Sequence, residues 1–134
     1  MEILNYSEKR DFEKVLLLYQ DAKWFAYLED LECLKRAYQS SIISFVVYEQ
    51  EDLVGVIRAV GDGETILYIQ DIIVHSSSRR QNIGSDLVTH LLTEYSHVRQ
   101  TVLLTDNDAN TVSFYESLGF KKVDDYNCVA FAKM

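Results

Sequence analysis

The stretch that decides the fold is IIVHSSSRRQNIGSDLV, residues 72–88. Three β-branched residues lead through a serine cluster and two adjacent arginines into Ile83, Leu87, Val88, Leu91 and Leu92, which recur at helical spacing to about Tyr95. A strand therefore turns into a helix across Asn82 and Gly84. Such a junction leaves backbone N–H groups unpaired at the helix start, where the positive end of the helix dipole also lies, and together these suit a phosphate. Arg79 and Arg80 would add charge-assisted contacts. Gly84 has no side chain to hold a ligand away, and Asn82 tolerates left-handed backbone angles better than most residues. An ordinary turn with the helix capped by Ser78 or Asn82 fits the same letters, and the two readings stand even. The patterns G-x-x-x-x-G-K-[ST] and G-x-G-x-x-G are absent.

The 134 residues suit one domain, spanning 1–134, with 48% hydrophobic and 25% charged residues as in soluble globular proteins. A net charge of −8 disfavours nucleic acid and anionic membrane as partners, so the arginine pair is a local exception. No apolar run approaches the roughly 20 residues of a membrane-spanning helix, and MEILNYSEKR is unlike a secretory signal. A cytoplasmic location is the expectation. Cys33 and Cys128 form neither a disulfide framework nor a metal motif, and are expected reduced and partly buried. The three histidines, His75, His90 and His97, are too scattered for a metal site, so no metal is expected.

Outward from the junction, the period of the apolar residues assigns the elements. Ile3 to Tyr6 suits a short strand, and Phe12, Val15, Leu16 and Tyr19 mark a helix over about 8–20. Leu31, Leu34 and Tyr38 mark a second helix with Asp30 as its N-cap. SFVVYEQEDLVGVIRAV reads as two strands joined at EQED, and GDGE at 61–64 turns the chain into the strand TILYIQDIIV. TVLLT at 101–105 suits a short buried strand, NTVSFYESLGF a helix stopped by Gly119, and CVAFAK a last strand. The order predicts an α/β (α+β) fold, a sheet with helices on both faces.

At this point a resemblance is specific. Residues 72–88 resemble the acetyl-CoA-binding segment of the GCN5-related N-acetyltransferase (GNAT) superfamily, whose pattern is [Q/R]-x-x-G-x-[G/A] after a strand. Arg79 takes the first position, Arg80 and Gln81 the variable ones, Asn82 the first glycine position, Ile83 the next and Gly84 the last; Asn82 is the departure. NTVSFYESLGFKKV, residues 110–123, resembles the family's late F-Y-x-x-x-G-F segment, with Phe114, Tyr115, Gly119 and Phe120 in register. The resemblance implies a mixed, mostly antiparallel sheet of about six to seven strands. It also implies acetyl-CoA as cosubstrate, an amine acceptor attacking the thioester directly, and a possible homodimer.

For the site, the resemblance implies that the backbone of Ile72, Ile73 and Val74 pairs with the pantetheine arm, and that an N–H near Ile73 or Val74 polarises the thioester carbonyl. The amides around Arg80 to Ser85 would hold the pyrophosphate. Tyr115 matches the tyrosine that protonates the departing thiolate, although by its pattern alone it is an aromatic core residue. The acceptor pocket falls near Trp24, Phe25, Tyr27, Glu29 and Asp30, most of which also suit packing or solvent. Strict alternation places Asp71 in a row with Leu67, Ile69 and Ile73. A buried acid in that row needs a partner or a chemical role. Asp71 either serves as general base or pairs with a cation such as Arg58, at parity, with His75 in reserve. The expected activity is transfer of acetyl to a primary amine of a small molecule or exposed protein amine. The alternative is a non-catalytic module that senses acyl-CoA.

Overall fold

At Gln50 the backbone enters the left-handed region (φ 56°) and the chain doubles back, so that β2 (Ile43–Glu49) and β3 (Asp52–Gly61) pair antiparallel. The next turn is pinned by Asp62. Its Oδ1 accepts the N–H groups of Glu64, Thr65 and Ile66 at 2.8, 2.8 and 3.0 Å, and its Oδ2 the Thr65 hydroxyl at 2.7 Å. This sends the chain into β4 (Ile66–Val74). The computed structural model describes residues 1–134 and falls into two units, Met1–Leu104 and Thr105–Met134.

The first unit holds a sheet in the order β1 (Glu2–Asn5), β2, β3, β4, β5 (Gln100–Leu103), antiparallel except for the parallel pair β4–β5. On one face lie α1 (Glu8–Asp21) and α3 (Leu31–Ser40), joined through a single turn, α2 (Phe25–Leu28). Phe12, Val15, Leu18, Tyr19, Leu34 and Tyr38 meet Val46, Val56 and Ile73 there in one buried cluster. Asp30 caps α3 as expected, its Oδ1 taking the Cys33 N–H at 3.0 Å. The other face carries α4 (Ile83–Glu94), which approaches closely because residue 55 is glycine. A Cβ on Gly55 would lie 3.0 Å from Ile83 Cγ2 and 3.3 Å from Leu87 Cδ1.

One irregularity in β4 overturns the expected alternation. Arg58 pairs with Asp71 but Ala59 pairs with Ile69, so Gln70 is a bulge residue. Cross-strand partners share a face. Leu67 and Ile69 therefore lie with Gly61 and Ala59 on the α4 side, whereas Asp71 and Ile73 lie with Arg58 and Val56 on the α1–α3 side. The acid does not sit in the row with Leu67 and Ile69.

The second unit holds α5 (Ala109–Ser117), followed by Gly119 at φ 95°, the helix stop that its sequence predicts. Asp108 Oδ2 caps it by accepting the Thr111 N–H at 3.2 Å. CVAFAK forms no strand: a short 3-10 turn over Val123–Tyr126 is followed by irregular backbone, with Val129 and Phe131 exposed. The sheet thus has five strands rather than six to seven. Alternation makes a segment able to pair but supplies no neighbouring backbone to pair with. Two smaller expectations also change. β5 is half-buried, being an edge strand, and both cysteines are exposed as free thiols.

Candidate active site

Pairing between β4 and β5 stops at Ile69 opposite Leu103, and β4 runs on alone to Val74 on that side. The β5-facing backbone of Ile72, Ile73 and Val74 is thereby left open while their opposite edge stays bonded to β3. Ile73 is buried and its two neighbours half-buried.

Beyond Val74 a 3-10 turn of Ser76–Ser78 leads to the loop. Asp21, the last residue of α1, anchors this turn: its carboxylate accepts the Ser76 N–H at 2.8 Å and the Ser76 hydroxyl at 2.7 Å, with His75 Nε2 at 3.5 Å. The Ser76 hydroxyl and amide hold the Asp21 carboxyl below the usual range, helped by His75 and Arg79. His75 also bonds the Ser77 hydroxyl through Nδ1 at 2.8 Å. These contacts tie the helix that precedes Tyr27 to the root of the loop.

Arg79, Arg80, Gln81 and Asn82 are exposed, with Arg80 and Asn82 in the left-handed region at φ 74° and 62°. Asn82 stands where a glycine is expected, in a conformation that a β-branched residue adopts only with strain. The helix cap reading fails in one respect: the Asn82 side chain caps nothing. The first turn of α4 closes with Asp86 N–H on Asn82 O at 2.9 Å, so the amides of Ile83, Gly84 and Ser85 have no acceptor within the helix. Ile83 buries its side chain, Gly84 and Ser85 are half-buried, and Asp86 is exposed. A diphosphate suits this end of the helix.

Asp71 is 2% exposed. Its Oδ2 accepts Arg58 Nε at 2.9 Å, Arg58 Nη2 at 2.8 Å and the Tyr19 hydroxyl at 2.8 Å, while Oδ1 accepts the Tyr27 hydroxyl at 2.7 Å. Tyr19 and Tyr38 share a further bond of 2.9 Å. Burial pulls Arg58 down, but the neighbouring Asp71 outweighs it and the guanidinium remains firmly charged. Burial pushes the Tyr19 and Tyr38 phenols well above their ordinary value. Of the two fates open to Asp71, pairing with Arg58 is present. Tyr27 is the half-buried member of this group, and its oxygen also accepts Gln70 Nε2 at 3.2 Å.

In the second unit, Tyr115 packs edge-to-face against Phe114 and Phe120, at 5.0 and 5.8 Å between ring centres. Burial raises its phenol above the ordinary 10.0. No three His, Cys, Asp or Glu side chains gather as a metal-binding group, and no helix is long and apolar enough to cross a membrane.

Residues 7–133 match the family described as acetyltransferase (GNAT) domain. The chain belongs to the GNAT acetyltransferase family. A solved GNAT-family acetyltransferase, SP0256 of Streptococcus pneumoniae TIGR4, is 33% identical over 99% of this chain and 98% of that one, with a TM-score of 0.86. SA2161 of meticillin-resistant Staphylococcus aureus shares the GNAT fold at 20% identity, covering 99% and 100% of the two chains, TM-score 0.75. The aminoglycoside acetyltransferase meta-AAC0020 from an uncultured soil metagenomic sample, solved with sisomicin, does so at 21% identity over 99% and 95%, TM-score 0.73. No curated protein matches the sequence.

The residues that sequence reasoning missed in this GNAT chain are Tyr19, Tyr38 and Gln70. Tyr19 and Tyr38 read as helix core, which they also are; nothing local shows that their hydroxyls converge on Asp71. Gln70 is a polar residue in an apolar strand, and that was the one available sign of the bulge.

Proposed function

We propose that this GNAT protein is an acetyl-CoA-dependent N-acetyltransferase acting in the cytoplasm on a primary amine of a small molecule or exposed protein amine. The observation that carries this reading is the divergence of β4 from β5, which frees strand backbone directly upstream of a helix start with uncapped amides. The segment fits the cosubstrate in two ways. The open edge of Ile72–Val74 matches an amide-bearing pantetheine arm, and the amides near Ser85, with Arg79 and Arg80, match a diphosphate. Gln81, Asn82, Ile83 and Gly84 would complete that loop. The two free thiols accord with a reducing compartment.

Acetyl-CoA supplies an activated acetyl thioester. A backbone N–H near Ile73 or Val74 polarises the carbonyl. The acceptor ammonium gives up one proton to solvent before attack, its nitrogen loses a second to solvent as the new N–C bond forms and the C–S bond breaks, and Tyr115 passes its phenolic proton to the thiolate. Solvent then reprotonates Tyr115. Asp71 serves by holding Tyr27 rather than by taking the proton itself, because both its oxygens are engaged by fixed donors.

The test is thiol release from acetyl-CoA across a panel of alkylamines, arylamines, peptides and an aminoglycoside. Turnover with at least one class is expected, with Tyr115→Phe lowering kcat about a hundredfold and leaving the affinity for CoA unchanged. Saturable CoA binding without product from any class would instead mark a sensing module. No binding at all would end both readings.

A further inference from the structure

The inference deepens the acetyl-transfer reading and rests on it. We propose that the Tyr27 hydroxyl oxygen and Gln70 Oε1 form the seat for a cationic amine acceptor, with Asp71 as the positioning residue behind them.

The polarity of the seat follows from where each hydrogen goes. A phenol has one hydrogen, and Tyr27 directs its own inward to Asp71 Oδ1 at 2.7 Å. A carboxylate paired with a guanidinium only accepts, so that direction is fixed by the Arg58–Asp71 pair. The Tyr27 oxygen accepts one bond from Gln70 Nε2 at 3.2 Å, which leaves a lone pair free. Gln70 uses one of its two amide N–H groups on Tyr27 and has its carbonyl oxygen unspent, and its side chain is exposed. Two acceptors thus stand side by side, and the second amide hydrogen of Gln70 is the side-chain donor left beside them. The neighbouring cation, Arg58, is 5% exposed and directs its donors to Asp71 and to Ser41 Oγ at 3.3 Å.

The surroundings favour positive charge as well. Trp24 lies 6.2 Å from the Tyr27 ring at 31° and is 39% exposed, so an aromatic side chain stays open to solvent next to the Tyr27 ring. Tyr19 backs both rings, at 6.1 and 4.9 Å. Exposed Glu29 and Asp30 follow directly in the chain. An ammonium meets two oxygen acceptors beside aromatic rings here, with acids two and three residues along the chain, whereas a carboxylate would find one amide hydrogen. The bulge makes the seat possible: it places exposed Gln70 and buried Asp71 next to each other, just where β4 leaves β5.

The experiment compares steady-state constants for the best amine in wild type, Tyr27→Phe, Gln70→Leu and Asp71→Asn, alongside calorimetric CoA affinity and thermal melts. Tyr27→Phe keeps the ring packing and is expected to raise the amine KM about tenfold, as loss of a hydrogen bond to a charged group does, with the acetyl-CoA KM unchanged. Gln70→Leu, on an exposed side chain, should raise it about threefold. Asp71→Asn should move the amine KM in the same direction and add nothing to Tyr27→Phe in the double variant. If Asp71→Asn does not fold, the two other variants still decide. An active wild type whose amine KM is unmoved in Tyr27→Phe and Gln70→Leu overturns the seat alone. Equal preference for anionic acceptors overturns it too. A wild type that acetylates no amine overturns the acetyl-transfer reading, and the seat with it.

Discussion

Arg58 and Asp71 stand directly opposite each other on β3 and β4, joined through Nε and Nη2 to one carboxylate oxygen at 2.9 and 2.8 Å, with side chains 6% and 1% exposed. The pair comes together because Gln70 bulges out of β4 and shifts Asp71 onto the Arg58 face. A buried pair of this kind adds little net stability but is costly to break, since each ion has been removed from water.

Asp71→Ala should therefore cost about 3–5 kcal/mol, because it leaves Arg58 charged and unpaired in the core. The double variant Arg58→Met with Asp71→Leu removes both charges and should recover more than half of that loss. Urea midpoints at unchanged slope would measure both. A single variant within about 0.5 kcal/mol of wild type would show that water reaches the pair.

Asn82 sits at φ 62° where α4 begins. Asn82→Val should strain this turn by about 1–2 kcal/mol and weaken CoA binding about 5- to 30-fold, while Asn82→Gly keeps the affinity. Calorimetric titration of CoA separates the two. Equal weakening by Gly and Val would mean that the Asn82 side chain itself contacts ligand.

Burial raises the Tyr115 phenol above 10.0, so it keeps its proton at every pH an assay normally reaches. The rate should climb with pH as the amine loses its proton, with no falling limb below about pH 10. A falling limb centred well below 10 in wild type, and missing in Tyr115→Phe, would contradict this protonation state.

Asp11 contributes to acid stability, alongside Asp21 and Asp62, whose carboxyls are also held below their ordinary value by hydrogen bonds. Burial pushes the Asp11 carboxyl up, but the Arg10 guanidinium, the Tyr48 hydroxyl at 2.6 Å and the Ser7 amide at 2.8 Å together hold it below its ordinary 3.8. A carboxyl lowered in the folded state stabilises fully above its unfolded value and loses that contribution as pH falls through the folded one. Stability should thus be flat above about pH 5 and fall below about pH 4, more shallowly in Asp11→Asn. Parallel acid slopes in the two proteins would count against Asp11 as one of the titrating groups.

Much of the candidate site was legible in the letters because it is local. A strand, a flexible junction and a helix within residues 72–88 need no distant contact to expose helix-start amides, and the left-handed turn at Asn82 follows from the tolerance of that residue. The helix stop at Gly119 was legible for the same reason. Asp71 was legible only as a question. Its answer required Arg58 from another strand and tyrosines from three helices, one of them the unexpected turn α2.

By itself, then, the sequence determined the elements with their own periodicity and the flexible strand-to-helix junction, since helical spacing, turn residues and backbone tolerance act over a few positions. Tertiary structure alone decided the face on which Asp71 lies, because a single bulge at Gln70 reverses every side chain beyond it. It decided equally that CVAFAK stays unpaired, because a strand exists only where another backbone edge meets it.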